Sequence, residues 1–307
     1  MQMGDSHEVT MTCSSSPSGI NFGNDFLPTS IVISEVAMSL PTFGIKFKAL
    51  TPDVGLTYKD LKLKISKGDL TKSYNLTQTR VTSESMSGYL FESDQVFTRR
   101  SAYLKGDVHE IIKSFGLRDS IEGFNVIKQE DTFFQMQETD VECAVRLLNM
   151  CSKEMVWVFE HNKIKLFSPE PSSSQTKFNT TLMSVSYDRT RSSKTNYTEL
   201  TGSTDRRNIH FGRQSTCIPR LSDYPQEAVY STVIKRKFRD NWRNCSLQLN
   251  FNMDPNFEIG STINLPYYGG EKVKSYVVFG KVTTLERVNA TYTYTLVNQS
   301  GWGVDNE

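Results

Sequence analysis

Residues 137–167, QETDVECAVRLLNMCSKEMVWVFEHNKIKLF, spell out a complete helix-plus-hairpin unit with every end marked. Thr139 and Glu142, three apart, form a capping box, in which the hydroxyl and the carboxylate each satisfy a free backbone amide at a helix start. Val141, Ala144, Val145 and Leu148 then fall at i, i+3, i+4 and i+7, which predicts one apolar stripe on a helix running to about Met150. Such a face has to dock on something. The following MVWVFEHNKIKLF predicts two short strands around the polar turn Glu160, His161, Asn162 and Lys163. Val156, Trp157, Val158 and Phe159 lie on one side of that turn, and Ile164, Leu166 and Phe167 on the other.

On the N-terminal side, Ile20 to Tyr103 alternates apolar and polar residues in short runs such as SIVISEVAMSL, FGIKFKAL and LKLKISKG, separated by Pro, Gly, Asp and Lys clusters. That pattern predicts a half-buried antiparallel sheet, and strands so short and so regularly interrupted curl into a small barrel that removes exposed edges. LKGDVHEIIKSFG predicts a short helix with Val108, Ile111, Ile112 and Phe115 on one face and Gly116 as its stop. On the C-terminal side, SPEPSSSQTK (168–177) has the composition of a linker. TTLMSVSYDRTRSSKTNYTEL predicts a strand and a polar loop, and the Arg- and Ser-rich region to Pro219 has no strong period. From about Tyr224, Val229, Val233, Phe238 and Trp242 recur nearly every fourth residue, which predicts a basic amphipathic helix. Strands resume in CSLQLNFNM, STINLPYYGG, KSYVVFGKVTTLERV and TYTYTLVNQ.

The expected fold class is therefore α+β, mainly β. Two small antiparallel β-barrel domains, 20–103 and 168–307, flank an α/β subdomain at 104–167, and residues 1–19 form a polar arm. At 307 residues the chain is too long for one small core. A net charge of +1 gives no global argument for nucleic acid or membrane. No apolar run approaches the ~20 residues needed to span a bilayer, so no membrane partner is expected. The start, MQMGDSHEVTMTCSSSPSG, lacks the basic head and apolar block of a secretory signal.

Five cysteines, Cys13, Cys143, Cys151, Cys217 and Cys245, are an odd number with no CxxC spacing, which argues against a disulfide framework and a zinc ribbon. Cys143 and Cys151 read as packing residues. The sequons at Asn75, Asn179, Asn196, Asn244, Asn289 and Asn298 follow from abundant Ser and Thr rather than from glycosylation.

Catalysis would need a nucleophile beside a base, paired carboxylates in a cleft, or a metal cluster. His7, His109, His161 and His210 are scattered, and His161 sits in a hairpin turn. Glu138, Asp140 and Glu142 sit together at a helix start, where the macrodipole favours negative charge. No GxGxxG, GxxxxGK[ST] or GxSxG pattern occurs, and Gly269–Gly270 reads as a turn. No catalytic, cofactor-binding or metal-binding residue is expected, and no cofactor. Arg189, Arg191, Arg206, Arg207, Arg213, Lys235, Arg236, Lys237, Arg239 and Arg243 make the third quarter basic. Such a patch with nearby aromatics could track a phosphate backbone, but the usual role is a solvated helix face or a contact for acidic partners.

The capped helix with paired leucines running into an aromatic hairpin resembles the small α/β subdomain of the phage tail baseplate hub and type VI secretion spike family. AVYSTVIKRKFRDNW, CSLQLNFNM, FEIGSTINL, SYVVFGKVTTLE and YTYTLVN follow in the order of the family's second tube domain. Before Leu104 the chain is similar only in rhythm, and it is shorter than the larger members. The resemblance implies a structural, non-enzymatic virion protein located in the tail baseplate and assembled in the host cytoplasm. Each chain of a homotrimer would supply two barrels, so that three chains ring a DNA channel with pseudo-sixfold symmetry. The implied partners are a tail tube protein above, a central spike or tail-tip protein below and the tape-measure protein within, with transient non-specific DNA contact. The alternative is a carbohydrate- or protein-binding β-sandwich module of a viral surface protein, which an exposed Tyr267–Tyr268 cluster over a groove would favour.

Overall fold

Alternating sequence turns into a long antiparallel sheet in this protein. The computed structural model describes residues 2–3, 7–12, 28–47, 60–82, 84–91, 98–115, 131–151, 156–160, 163–167, 182–189, 197–202, 208–212, 220–221, 245–266 and 273–298. The first part contributes β1 (Gln2–Met3), β2 (His7–Thr12), β3 (Pro28–Val36), β4 (Thr42–Phe47), β5 (Leu61–Lys67), β6 (Leu70–Val81) and β7 (Ser85–Tyr89). A mixed unit follows, with β8 (Arg99–Gly106), α1 (Val108–Ser114), β9 (Asp131–Thr139), α2 (Asp140–Cys151), β10 (Val156–Glu160) and β11 (Lys163–Phe167). The remaining strands are β12 (Leu182–Arg189), β13 (Tyr197–Gly202), β14 (Asn208–Gly212), β15 (Arg220–Leu221), β16 (Cys245–Phe251), β17 (Thr262–Pro266), β18 (Val273–Glu286) and β19 (Ala290–Asn298).

Twelve strands form one sheet in the order β1-β2-β5-β6-β7-β4-β3-β18-β19-β16-β12, with β17 also paired to β18. The fold class is the expected α+β, mainly β. The two β-rich parts are joined by hydrogen bonds: Val36 to Ser30 of β3 run antiparallel to Gly280 to Glu286 of β18. They also share one core. Met3, Val9 and Leu63 from one end of the sheet cluster with Leu249, Tyr294 and Leu296 from the other, so the sheet curls its apolar face around a common interior.

β18 explains why KSYVVFGKV is so continuously apolar. Its first half pairs with β17, its second half with β3, and its other edge with β19. Val278 faces the shared core, whereas Val277 packs with Ala37 and Val158 on the opposite face. A strand covered on both faces needs apolar residues at consecutive positions.

The mixed unit has its own core, in which Val108, Ile111, Ile112 and Phe115 of the α1 segment meet α2 and Trp157. The capping box is formed as expected: the Glu142 amide donates to Thr139 Oγ1 at 3.1 Å, and the Thr139 amide donates to Glu142 Oε2 at 2.9 Å. Helix α2 runs one residue past Met150. Val141, Ala144 and Leu148 are buried, but Val145 is only half-buried, while Cys143 and Leu147 are fully enclosed. The buried face is thus centred toward Cys143 and Leu147 rather than along the stripe through Val145. The hairpin pairs Glu160 with Lys163, which leaves His161 and Asn162 as a two-residue connection outside the described residues.

Three further differences from the sequence reading have simple causes. The polar arm, residues 1–19, supplies β1 and β2 to the sheet: Val9 and Met11 point inward while Glu8, Thr10 and Thr12 are exposed. A half-polar strand has a neutral average composition, and only its period of two betrays it. Residues 99–103, expected in the first barrel, pair with β9 and so extend the mixed unit. The region to Pro219 contains β13 and β14, which form a small sheet with β15 just beyond it. The 168–177 linker, the basic helix from Tyr224, Gly116, Tyr267, Tyr268 and Gly269–Gly270 lie outside the described residues.

Candidate functional site

The curl of the sheet leaves a cavity of about 330 Å³ between the β5–β6 hairpin with His7 on one side and the β18–β19 pair with Met253 to Asn256 on the other. Local patterning places each wall. In β19 the alternation TYTYTL sends Tyr292 and Tyr294 inward, and both are buried. In β18 a register irregularity between Val278 and Gly280 turns Lys281 inward too, leaving it 4 % exposed.

Lys281 is matched there. Its Nζ donates to Asp254 Oδ2 at 2.5 Å and lies 5.7 Å and 5.3 Å from the ring centroids of Tyr292 and Tyr294. Asp254 Oδ1 accepts from the Tyr294 hydroxyl and, at 3.0 Å, from the Asn256 amide. Burial opposes the charged carboxylate, but Lys281, Tyr294 and the Asn256 amide outweigh it and hold Asp254 below its ordinary pKa. Burial pulls Lys281 below the usual ammonium range, with Asp254 pulling it back. Burial, together with Asp254, pushes the Tyr294 hydroxyl well above its usual value. The Tyr292 hydroxyl and His7 Nε2 are 2.8 Å apart, which pins β2 to β19 across 285 residues of sequence.

The acidic trio of the α2 start is claimed residue by residue by arginines. Arg146 pairs with Glu138, Arg100 with Asp140 at 2.8 Å, and Arg99 with Glu142 at 3.0 Å. Gln135 Nε2 also donates to Asp140 at 2.8 Å. These carboxylates hold the β8–β9 ribbon against the helix, a structural role in agreement with the helix-start reading. The arginines were missed because Arg99 and Arg100 are about 40 residues away in sequence.

Of the histidines, His7 lies in the cavity wall, His161 lies outside the described residues, and the side chains of His109 and His210 are likewise not described. Cys143 is buried, and that burial raises its thiol pKa to about 12 against the opposing pull of Arg146. Among the described residues no three His, Cys, Asp or Glu side chains gather as a metal site, and no helix is long and apolar enough to cross a membrane. In the basic third quarter, Arg189 is on β12, and the other cations named above lie outside the described residues. The cavity itself had no signal in the sequence, since His7, Lys72, Asp254 and Tyr292 come from four distant segments. The nearest hint was a lysine within the apolar run YVVFGKV.

No family model matches the sequence, and no curated protein matches it. Solved structures do match. The 43 kDa tail protein of prophage MuSo2 from Shewanella oneidensis is similar over 96% of this chain and 100% of its own, with a TM-score of 0.63 at 9% identity. A tail protein from Neisseria meningitidis MC58 is similar over 96% of this chain and 98% of its own, with a TM-score of 0.61 at 11% identity. An Escherichia coli component of the type VI secretion system, itself structurally similar to the bacteriophage T4 tail proteins gp27 and gp5, is similar over 94% of this chain and 76% of its own, with a TM-score of 0.55 at 12% identity. Along nearly its whole length, this chain shares the fold of these two tail proteins and of the secretion component.

Proposed function

We propose that this protein is a structural component of a phage tail: a baseplate hub that assembles as a homotrimer and acts by geometry, without turnover. One observation carries the reading. The likeness to the Shewanella prophage tail protein takes in 96% of this chain and 100% of that one, so the shared fold extends over both chains rather than over one module of either. In the ring we envisage, the β-rich parts on either side of the mixed unit take near-equivalent places, six in all from three chains. A sixfold tail tube then meets one face and a threefold spike or tail tip the other, through heterologous interfaces that close on themselves. The tape-measure protein and the ejected DNA pass through the middle, the DNA unread. The protein is in place in the tail baseplate of the virion, after assembly in the host cytoplasm.

Mass in solution tests the ring. Sedimentation should give three copies of the 34.9 kDa chain, about 105 kDa. Co-sedimentation with the tail tube protein of the same phage tests the placement. A species that stays at the mass of one chain at high concentration and ignores the tube protein would sink the proposal. Peptidoglycan hydrolysis by the purified protein would sink the non-enzymatic part of it.

A further inference from the structure

We infer that the cavity between the β5–β6 hairpin and the β18–β19 pair is a binding site for a short peptide segment of a partner protein, one that carries carboxylates beside apolar side chains. Four large hydrophobic residues are exposed among the described ones, and two of them, Leu70 at 66% and Met253 at 55%, line this cavity. They stand on opposite walls, one on β6 and the other just after β16. The volume is at the lower end for ligand sites, suited to two or three side chains rather than to a nucleotide cofactor.

Charge selects the occupant. The lining contains Lys67, Lys72 and Lys281 against a single acid, Asp254, and that acid is already taken by Lys281, Tyr294 and the Asn256 amide. Lys67 and Lys72 make no ion pair among the described residues, and the field of Lys72 works against the charge of Lys281. Two acids stand nearby outside the lining: Asp69 in the hairpin turn and Glu35, whose field reaches Lys281 and Tyr74. An incoming carboxylate would relieve the crowding of Lys72 and Lys281, and its apolar neighbours would cover Leu70 and Met253. A nucleic-acid strand fits less well, because it needs a basic track with open aromatic faces, whereas Tyr292 and Tyr294 are buried here.

The test uses the full chain and Leu-Glu-Val-Asp-Leu amide with fluorescein attached to its N-terminal amine, with a second peptide, labelled in the same way, in which both acids are replaced by lysine. Fluorescence anisotropy should show saturable binding of the acidic peptide, with Kd on the order of 10–100 µM for so small a contact. Added salt should weaken it. The double variant Lys67→Glu with Lys72→Glu should lose about tenfold or more in affinity and gain the basic peptide instead. Leu70→Ser with Met253→Ser should weaken the acidic peptide while leaving its salt dependence intact. Circular dichroism would establish that both variants are folded. Equal binding of the two peptides, or indifference to both double variants, would overturn the assignment. So would failure to bind at millimolar peptide. Self-association lost specifically in the Lys67→Glu, Lys72→Glu variant would overturn it in favour of a second copy as the occupant.

Discussion

The amide of Met38 donates to the carbonyl oxygen of Trp157 at 2.7 Å, a single backbone bond that ties the hairpin of the mixed unit to the corner after β3. Met38 adopts a φ of +63° to do so, a left-handed conformation that costs a residue with a Cβ roughly 1–2 kcal/mol. The next bond along, from the Ala37 amide to the Phe279 carbonyl at 2.7 Å, reaches β18. With Ala37, Val158 and Val277 packed together at the same point, the mixed unit is fixed to the sheet at the strand that joins its two parts.

Helix α2 should be sensitive at its buried positions and tolerant at Val145. Leu147→Ala and Leu148→Ala should each destabilise by about 2–5 kcal/mol, through lost transfer energy and the cavity left behind. Val145→Ala should cost less than about 1 kcal/mol. Urea titration of the three variants measures the order, and equal losses at all three would contradict the observed rotation of the helix.

Gly88→Ala tests a close approach of backbones. A Cβ at Gly88 would lie 2.0 Å from the Thr77 carbonyl oxygen and 2.8 Å from the Gln78 Cα, both main-chain atoms that cannot swing aside. The substitution should cost on the order of 3 kcal/mol or more and break the β6–β7 register. Thermal unfolding would reveal it, and a shift under about 2 °C would show that the strands separate easily.

The Asp254–Lys281 pair should make stability depend on acid pH. Asp254 titrates lower in the folded chain than in the unfolded one, so its contribution is complete above about pH 4, the unfolded carboxylate range, and is lost as pH falls through the folded value. Lys281→Met should cost about 3–5 kcal/mol by leaving a largely buried carboxylate without its cation. Adding Asp254→Asn to it should recover part of that loss and flatten the acid limb. Chemical denaturation between pH 3 and pH 7 gives both results.

Cys143 should be silent to thiol reagents. In a variant with Cys13, Cys151, Cys217 and Cys245 replaced by serine, its buried thiol, with a pKa of about 12, should label only as fast as the mixed unit opens. Prompt labelling at pH 8 in native buffer would mean that the α1–α2 core is open to solvent.

Sequence and structure agree where the determining contacts are local. The capping box and the α1 face involve residues within a turn or two of each other, and β10 pairs with β11, the next strand in the sequence. Arg99 and Arg100, by contrast, could be matched to Glu142 and Asp140 only after β8 had been paired with β9. β13 was missed because YTELTG has a single aliphatic residue and no apolar face to detect. The cavity was invisible for the same reason at a larger scale: nothing near His7 announces Tyr292. Lys281 within an apolar run was the one local irregularity, and it marks the site.

The pairing of β3 with β18 also sets a timetable. About 240 residues separate Val36 from Gly280, so at roughly 5–20 residues per second the ribosome takes on the order of 10–50 s to deliver β3 its partner. For that interval a nascent strand rich in isoleucine and valine has one edge unsatisfied, and the walls around Met3 and Leu63 lack half of their interior. Native closure therefore waits for β18 to be made, and the emerging chain is a natural client for holding chaperones. Truncations before β18 should accumulate as insoluble fragments.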